Sequence, residues 1–324
     1  MTLVLTRGDL RALLMVEECL DALREGFRAV RDVPVVGQRM RTDLPFPGTA
    51  TALMPGLLPG VEAYTVKVNA KFPGSRPALR GVICLHSGKD GELLALLDSA
   101  TVTAWRTGLA AALGTHALAR PGGTLGVVGA GAQAELVVRG LAALRGTGAP
   151  VVHDTDAERA AEFAARHGGR VVGSAPEVAA AADVVLLATW SREPLLRLAD
   201  TRPGQHLTSL GADEPGKREL AADLLKAALL VVDDRELAAT MGALAAADLP
   251  AAAAGPVLGE VLRGEHPGRR SAEERTVYAP VGLPWQDLAL AWLAYRRAER
   301  DGAGQRVDLL AETPVNRVRR RSTA

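Results

Sequence analysis

From Asp9 to Val30, the apolar residues Leu10, Leu13, Leu14, Cys19, Leu20, Leu23 and Phe27 recur near helical spacing and predict one helix. Pro34, Pro45, Pro47 and Pro55 then break the chain into loops and short extended pieces. Alternation from Val61 to Ala70 predicts a strand, with Tyr64, Val66 and Val68 on one face and Thr65, Lys67 and Asn69 on the other. Gly81 to His86 and Glu92 to Asp98 predict two further strands, joined across Ser87-Gly88-Lys89-Asp90-Gly91, whose Asp-Gly pair signals a hairpin. A helix is predicted from Ser99 to about Arg120, where Pro121-Gly122-Gly123 stops it.

The second half differs in kind. Short apolar strands are predicted at Leu125–Val128, Val151–His153, Val184–Ala188, Leu207–Leu210 and Leu229–Val232. Helical segments fall between the first of them, one running to about Leu144 and another from Asp156 to His167. Strands apolar on both faces and alternating with helices predict an α/β fold with a parallel sheet covered on both sides. An Ala-rich helix at Glu236–Ala247, a looser stretch through Arg270, a last strand at Thr276–Tyr278 and an amphipathic helix at Gln286–Arg300 complete the pattern.

At 324 residues the chain is long enough for two domains, each with its own core. With 48% apolar residues and a net charge of +1, it reads as neither a disordered chain nor a nucleic-acid binder. Two cysteines, Cys19 and Cys84, cannot build a disulfide framework or a thiolate metal cluster. No stretch is apolar enough for a transmembrane helix, and charge returns at Arg7 and Asp9, which argues against a signal peptide. The expectation is a cytoplasmic protein with no membrane partner and no metal. The Arg317-Val318-Arg319-Arg320-Arg321 segment reads as a solvated end.

Arg supplies 33 of the 38 basic residues, so each of the five lysines is chemically conspicuous. Lys71 and Lys89 fall in expected loops, Lys226 on a helix surface, and Lys217 in a Pro-Gly-Lys turn. Lys67 stands mid-strand among apolar neighbours, and Arg106 lies in an Ala- and Leu-rich helix. Cations on such apolar elements need a partner, either a protein carboxylate or the carboxylate of a small substrate. Arg41, upstream of the Pro-rich loop, poses the same alternative.

Gly129-Ala130-Gly131-Ala132-Gln133-Ala134 follows a strand and opens a helix, the G-x-G-x-x-A pattern of a dinucleotide site. Gly129 makes the tight turn, and Gly131 lets a pyrophosphate approach the helix N-terminus. Asp154, 25 residues after Gly129, is placed to accept hydrogen bonds from an adenosine ribose. Its charge favours NAD over NADP, and Arg159 is read as too far along the helix to reverse that preference. Asp213 follows the C-terminal end of a parallel strand, where ligands collect. It reads either as a proton acceptor for an amine substrate or as a turn residue.

Four blocks besides the glycine turn resemble the ornithine cyclodeaminase/mu-crystallin family: Tyr64-x-x-Lys67, Thr103-x-x-Arg106-Thr107, Gly211-Ala212-Asp213-x-Pro215-Gly216-Lys217-x-Glu219-Leu220, and Val281-Gly282-x-x-x-x-Asp287-Leu288-Ala289. The resemblance implies a Rossmann-type domain over 119–289 and a smaller α+β substrate and dimerisation domain over 1–118 with 290–324. It implies that Lys67, Arg41 and Arg106 bind a substrate carboxylate, that Asp213 and Lys67 act in catalysis, and that Thr107, Thr189 and Val281 lie near the cofactor with the glycine-turn residues. The implied protein is a homodimer that moves a hydride between NAD and the α-carbon of a small amino or imino acid. Cyclodeaminases, alanine dehydrogenases and ketimine reductases share that step, and a non-catalytic mu-crystallin-like binder is the alternative.

The sequence departs from the cyclodeaminase pattern at one informative position. Ala52 stands where cyclodeaminases carry a Glu facing the substrate amine, which weakens the case for a diamino acid.

Overall fold

The structure is a computed structural model that describes residues 1–31, 40–46, 49–72, 75 and 78–312. The Pro34 and Pro47 breaks and the Arg317–Arg321 segment lie outside the described residues. Among the described residues, the strands fall into two seven-stranded sheets. The first contains β1 (Thr2–Leu5), β2 (Met40–Asp43), β3 (Ala50–Gly56), β4 (Ala63–Lys71), β5 (Leu79–Ser87), β6 (Leu93–Asp98) and β14 (Gln305–Val307). Their order is β14-β1-β6-β5-β4-β3-β2, antiparallel throughout except for the parallel pair of β1 and β6.

The second sheet contains β7 (Leu125–Val128), β8 (Val151–His153), β9 (Arg170–Val171), β10 (Val184–Leu187), β11 (His206–Ser209), β12 (Leu229–Val231) and β13 (Thr276–Tyr278). It is wholly parallel, in the order β12-β13-β11-β10-β7-β8-β9. Read from β9 to β13, this is the doubly wound dinucleotide order with β12 added at the edge. The strand order reverses between β7 and β10, so a crevice opens at their carboxyl ends.

The helices are α1 (Arg7–Leu13), α2 (Val16–Ala29), α3 (Ser99–Leu118), α4 (Ala132–Arg145), α5 (Ala157–Arg166), α6 (Ala175–Ala181), α7 (Ala222–Lys226), α8 (Arg235–Met241), α9 (Ala243–Ala246), α10 (Leu258–Leu262) and α11 (Pro284–Asp301). The single helix expected at Asp9–Val30 is two, because the chain is extended at Leu14 and Met15. A Thr6–Asp9 capping box starts the first of them. The Glu236–Ala247 helix is likewise split, at Gly242. Lys71, expected in a loop, is the last residue of β4.

Helix α3 is buried over most of its circumference and touches strands of both sheets. Ala and Gly make that closeness possible. Gly108 lies against Leu136 of α4, and Gly140 of α4 lies against Ala112, so the two helices meet almost backbone to backbone. Trp285 of α11 covers Gly26 of α2 and meets Phe27 edge-on at 4.9 Å, tying α11 to the N-terminal helices.

The two faces of β4 invert the usual expectation. Thr65, Lys67 and Asn69 are the buried set, packed towards α3 and α11. Tyr64 and Val66 are half-buried and Val68 is exposed on the outer face. The polar side of this strand thus points into the molecule, and its apolar side is left to the outside.

Candidate active site in the cleft between the sheets

A cavity of about 200 Å³ lies between β3 and β4 on one side and the carboxyl ends of β10 and β11 on the other. Arg41, Ala52, Arg106, Gln133, Thr189 and Asp213 all contribute to its wall. The strand register explains part of this convergence. Arg41 of β2 pairs with Ala52 of β3, which pairs with Asn69 of β4, so the three lie in one row across the sheet. Ala52, Met54 and Leu79 give that end of the cavity an apolar lining. Arg41 itself reaches Asp43 at 2.8 Å.

Lys67, expected to bind the substrate carboxylate and act in catalysis, is wholly inaccessible and is not among the residues of the cavity wall. Its Nζ donates to Asp287 Oδ2 at 2.5 Å, and Arg106 Nε lies 3.4 Å from Asp287 Oδ1. Arg106 Nη1 also donates to Gln286 Oε1 at 3.3 Å. Both cations therefore have a protein carboxylate, and they share it. Gly282 makes room for Arg106: its φ is +96°, and an added Cβ would fall 2.0 Å from Nη1. The Val281–Gly282 backbone is held by Asp233, which accepts from Val281 N at 3.0 Å and Gly282 N at 2.6 Å. Burial pushes the Asp233 carboxyl above the usual range, although these two bonds pull against the rise.

Asp213 sits on the loop after β11. Its Oδ1 accepts from Lys217 Nζ at 2.7 Å, and Lys217 also reaches Glu214 at 3.2 Å. Lys71 of β4 crosses the cleft to Glu214. Burial pushes Glu214 up, but Lys71 and Lys217 outweigh it and hold the carboxyl below its ordinary value. For Lys217, burial pulls downward, and Asp213 and Glu214 overcome it and raise the ammonium. Both lysines face the ring of Trp190, at 4.5 Å for Lys71 and 5.2 Å for Lys217.

Glu219 fixes the floor of the crevice. It is fully buried and accepts from Thr189 N (2.6 Å), Thr189 Oγ1 (2.8 Å), Ser209 Oγ (2.7 Å) and Gly211 N (2.7 Å). One side chain thus ties together the chain leaving β10 and the chain leaving β11. Burial drives its pKa up against the pull of those four bonds.

The glycine turn lies between β7 and α4. Gly129 has φ +92°, and a Cβ there would lie 2.5 Å from Ala188 O, so only glycine fits. At Gly131 an added Cβ would meet nothing within 4 Å, so open space lies over the start of α4, where no side chain caps the helix. Ala130, Ala132 and Gln133 complete this turn, with Ala130 N donating to Asp154 Oδ2 at 2.8 Å. These features fit a dinucleotide pyrophosphate at a helix N-terminus. Thr107 follows Arg106 on α3, half-buried.

Arg159, read from the sequence as too distant, lies directly on Asp154. Nε reaches Oδ2 at 3.0 Å and Nη2 reaches Oδ1 at 2.8 Å. One turn of α5 brings the two within reach, because Asp156 caps the helix and turns the chain back. Sequence reasoning assigned no role to Asp287, Glu219 or Asp233, and placed Lys71 outside the site. The available signal was an acid inside or beside an apolar run, as in Gln286-Asp287-Leu288 and Val231-Val232-Asp233.

The sequence profile of the ornithine cyclodeaminase/mu-crystallin family matches residues 1–302. An alanine dehydrogenase of Archaeoglobus fulgidus is 29% identical, the match covering 94% of this chain and 98% of that protein. Among solved structures, an archaeal alanine dehydrogenase dimer with bound NAD superposes with a TM-score of 0.86 at 28% identity, over 95% of this chain and 99% of the other. The Thermococcus litoralis Δ1-pyrroline-2-carboxylate reductase, solved with NADH and L-proline, also gives 0.86, at 27% identity over 94% of this chain and all (100%) of the other. The match runs over nearly the whole length of both chains in each case, and this chain belongs to the ornithine cyclodeaminase/mu-crystallin family.

Proposed function

We propose that this protein is an NAD-dependent oxidoreductase that transfers a hydride between the nicotinamide and the α-carbon of a small amino or imino acid. The observation that carries the reading is the cavity itself. It brings together Arg41 of β2, Arg106 of α3 and Asp213 of the loop after β11, with Gln133, next to the glycine turn, and Thr189 also lining it. A carboxylate on the Arg side and an amine or imine nitrogen on the Asp213 side would leave the α-carbon between them.

In this reading the chain divides into a Rossmann domain at 119–289 and a substrate and dimerisation domain at 1–118 with 290–324. Gly129, Ala130, Gly131, Ala132, Gln133 and Asp154 would hold the dinucleotide, with Thr107, Thr189 and Val281 beside it. Bound NAD supplies the hydride acceptor, and NADH the donor. Arg106, braced by Gly282 and Asp287, orients the substrate carboxylate, with Arg41 closing the outer side. Lys67 holds Asp287 in place and acts on the site through it. Asp213 takes or returns the proton of the substrate nitrogen at a carboxylate oxygen, while Lys217 fixes the other at 2.7 Å. The apolar end at Ala52, Met54 and Leu79 suits a short apolar side chain or a ring.

The exposed apolar face of β4, with Tyr64 stacked on His86 of β5 at 4.9 Å, supports a homodimer joined through the first sheet. No helix among the described residues is long and apolar enough to cross a membrane. Cys19 and Cys84 are free thiols, in keeping with a cytoplasmic enzyme.

The test is a three-arm assay of the purified protein. Small α-amino acids are supplied with NAD, cyclic imino acids with NADH, and ornithine with catalytic NAD. Net nicotinamide turnover in either of the first two arms supports the proposal. Proline and ammonia from the third arm, without net turnover, would make it a cyclodeaminase instead. Nucleotide binding without turnover in any arm would mark it as a binder.

A further inference from the structure

An ionised carboxylate offers about four lone-pair positions. In Asp154 all four are taken: Oδ1 accepts from Asp156 N at 2.8 Å and Arg159 Nη2 at 2.8 Å, with Thr155 Oγ1 farther off at 3.5 Å, and Oδ2 accepts from Ala130 N at 2.8 Å and Arg159 Nε at 3.0 Å. The two backbone donors anchor the acid from within the protein. The two Arg159 donors belong to a side chain on the solvent side, for Arg159 is 48% exposed and the Asp154 side chain only 6%. A ribose hydroxyl that is to reach Asp154 must take a place that Arg159 holds.

The charge balance is as informative as the geometry. A bare carboxylate at this position repels a 2′-phosphate, which is how such sites exclude NADP. Here the acid and the guanidinium form a neutral pair. Arg159 lies in the first turn of α5, on a long side chain with one end in water, and its fork matches a phosphate as well as a carboxylate. Asp156, the nearest other acid, lies 3.8 Å from Arg159 and is half exposed.

We propose that Arg159 is the cofactor-selectivity residue of this enzyme: a movable counterion that releases Asp154 to the ribose of NAD and turns to the 2′-phosphate of NADP. The protein therefore uses NAD but discriminates only weakly against NADP. This rests on the dinucleotide site proposed above.

NADH and NADPH are titrated into wild type, Arg159→Ala and Arg159→Glu, following nicotinamide fluorescence, with circular dichroism to verify folding. Wild type is expected to bind both, with dissociation constants within about tenfold of each other. Arg159→Ala is expected to weaken NADPH by about tenfold or more while NADH holds or tightens, and Arg159→Glu to abolish NADPH binding alone. If wild type already rejects NADPH by about a hundredfold or more, or if both variants leave the NADH/NADPH ratio unchanged, Arg159 does not set selectivity. If neither nucleotide binds even wild type, the dinucleotide reading itself fails, and this inference falls with it.

Discussion

Lys67 Nζ lies 2.5 Å from Asp287 Oδ2, and the two side chains are 0% and 2% exposed. They come from opposite ends of the chain, 220 residues apart. Asp287 also faces Arg106, so one carboxylate from α11 stands between a lysine from β4 and an arginine from α3. The three groups together carry one net positive charge. On the function proposed above, that net charge suits a single substrate carboxylate, and it is held without leaving two cations to repel each other in a buried place.

Removing Asp287 should therefore be costly, and removing the pair much less so. Asp287→Ala strands two buried cations and is expected to destabilise the fold by about 3–5 kcal/mol. Lys67→Met combined with Asp287→Leu keeps volume and leaves only Arg106 without its acid, so it should recover part of that loss. Urea unfolding of the single and double variants provides the measurement. A loss below about 1 kcal/mol for Asp287→Ala would place the pair among weakly contributing ion pairs and contradict the argument.

Asp213 is expected to act on the reacting nitrogen and not on cofactor binding. Asp213→Asn keeps the shape and removes the proton acceptor, so kcat should fall about 10²–10⁴-fold. The dissociation constant for NADH should stay within about threefold of wild type, since the proposed dinucleotide site is built on the glycine turn and not on Asp213. An unchanged kcat would remove Asp213 from the proton-transfer role.

The parallel sheet was legible because β7, β8, β10 and β12 are short apolar runs between breakers, and burial leaves that trace, whereas β9, the exposed pair Arg170–Val171, carries none. The glycine turn was legible for the same local reason, a positive φ at Gly129 that no other residue fits. The first sheet was read less completely. β1 stands outside the alternation of strands and helices and is held by a parallel pairing with β6 far along the chain, and β14, Gln305–Val307, has no apolar run to mark it. The Asp9–Val30 series looked continuous because α1 and α2 present their apolar faces to one core across a two-residue break. Arg41, Arg106 and Asp213 could be picked out singly as charges in odd places. Asp287, Glu219 and Asp233 could not, since they meet their partners only through tertiary contacts.

The wall at Ala52 should govern the choice of substrate. Ala52 shares the cavity with Asn69, Met54 and Leu79 and presents no charge to a distal amine. Ala52→Glu introduces a carboxylate there and is expected to raise kcat/KM for ornithine or lysine by about tenfold or more while lowering it for short apolar amino acids. Steady-state kinetics on both substrate classes decide the matter, and parallel losses on both would mean that position 52 only shapes the sheet.

The outward apolar face of β4 should be covered by a second copy. Val68 is 37% exposed, on the same face as Tyr64 and Val66. Val68→Glu would place a charge in that contact, at a cost of several kcal/mol if buried unpaired, and should convert a dimer to monomer. Light scattering after size exclusion measures the mass. A variant that remains dimeric would place the interface elsewhere.

His206 should make stability fall in mild acid. It is fully buried, with Nδ1 2.8 Å from Thr276 Oγ1 and Nε2 2.9 Å from Thr208 Oγ1. Burial, aided by the positive charges of Arg269 and Arg145, pushes its pKa down to about 3. The folded form thus binds fewer protons than the unfolded chain, whose histidine titrates near 6.5. The stabilisation from this group is present above pH ~6.5 and is lost as pH falls towards 3, at about 1.4 kcal/mol per unit. Between pH 7 and 5 the loss amounts to about 2 kcal/mol. Glu214 and Asp154, held below their usual range, act in the same direction but only at lower pH. Glu219 and Asp233, raised by burial, act oppositely: their contribution is lost as pH rises above the ordinary carboxylate value. Comparing wild type with His206→Gln by urea unfolding at both pH values cancels those shared groups. The variant is expected to be less stable at pH 7 and to lose about 2 kcal/mol less than wild type on going to pH 5. Identical losses in the two proteins would show that His206 is not the group that titrates.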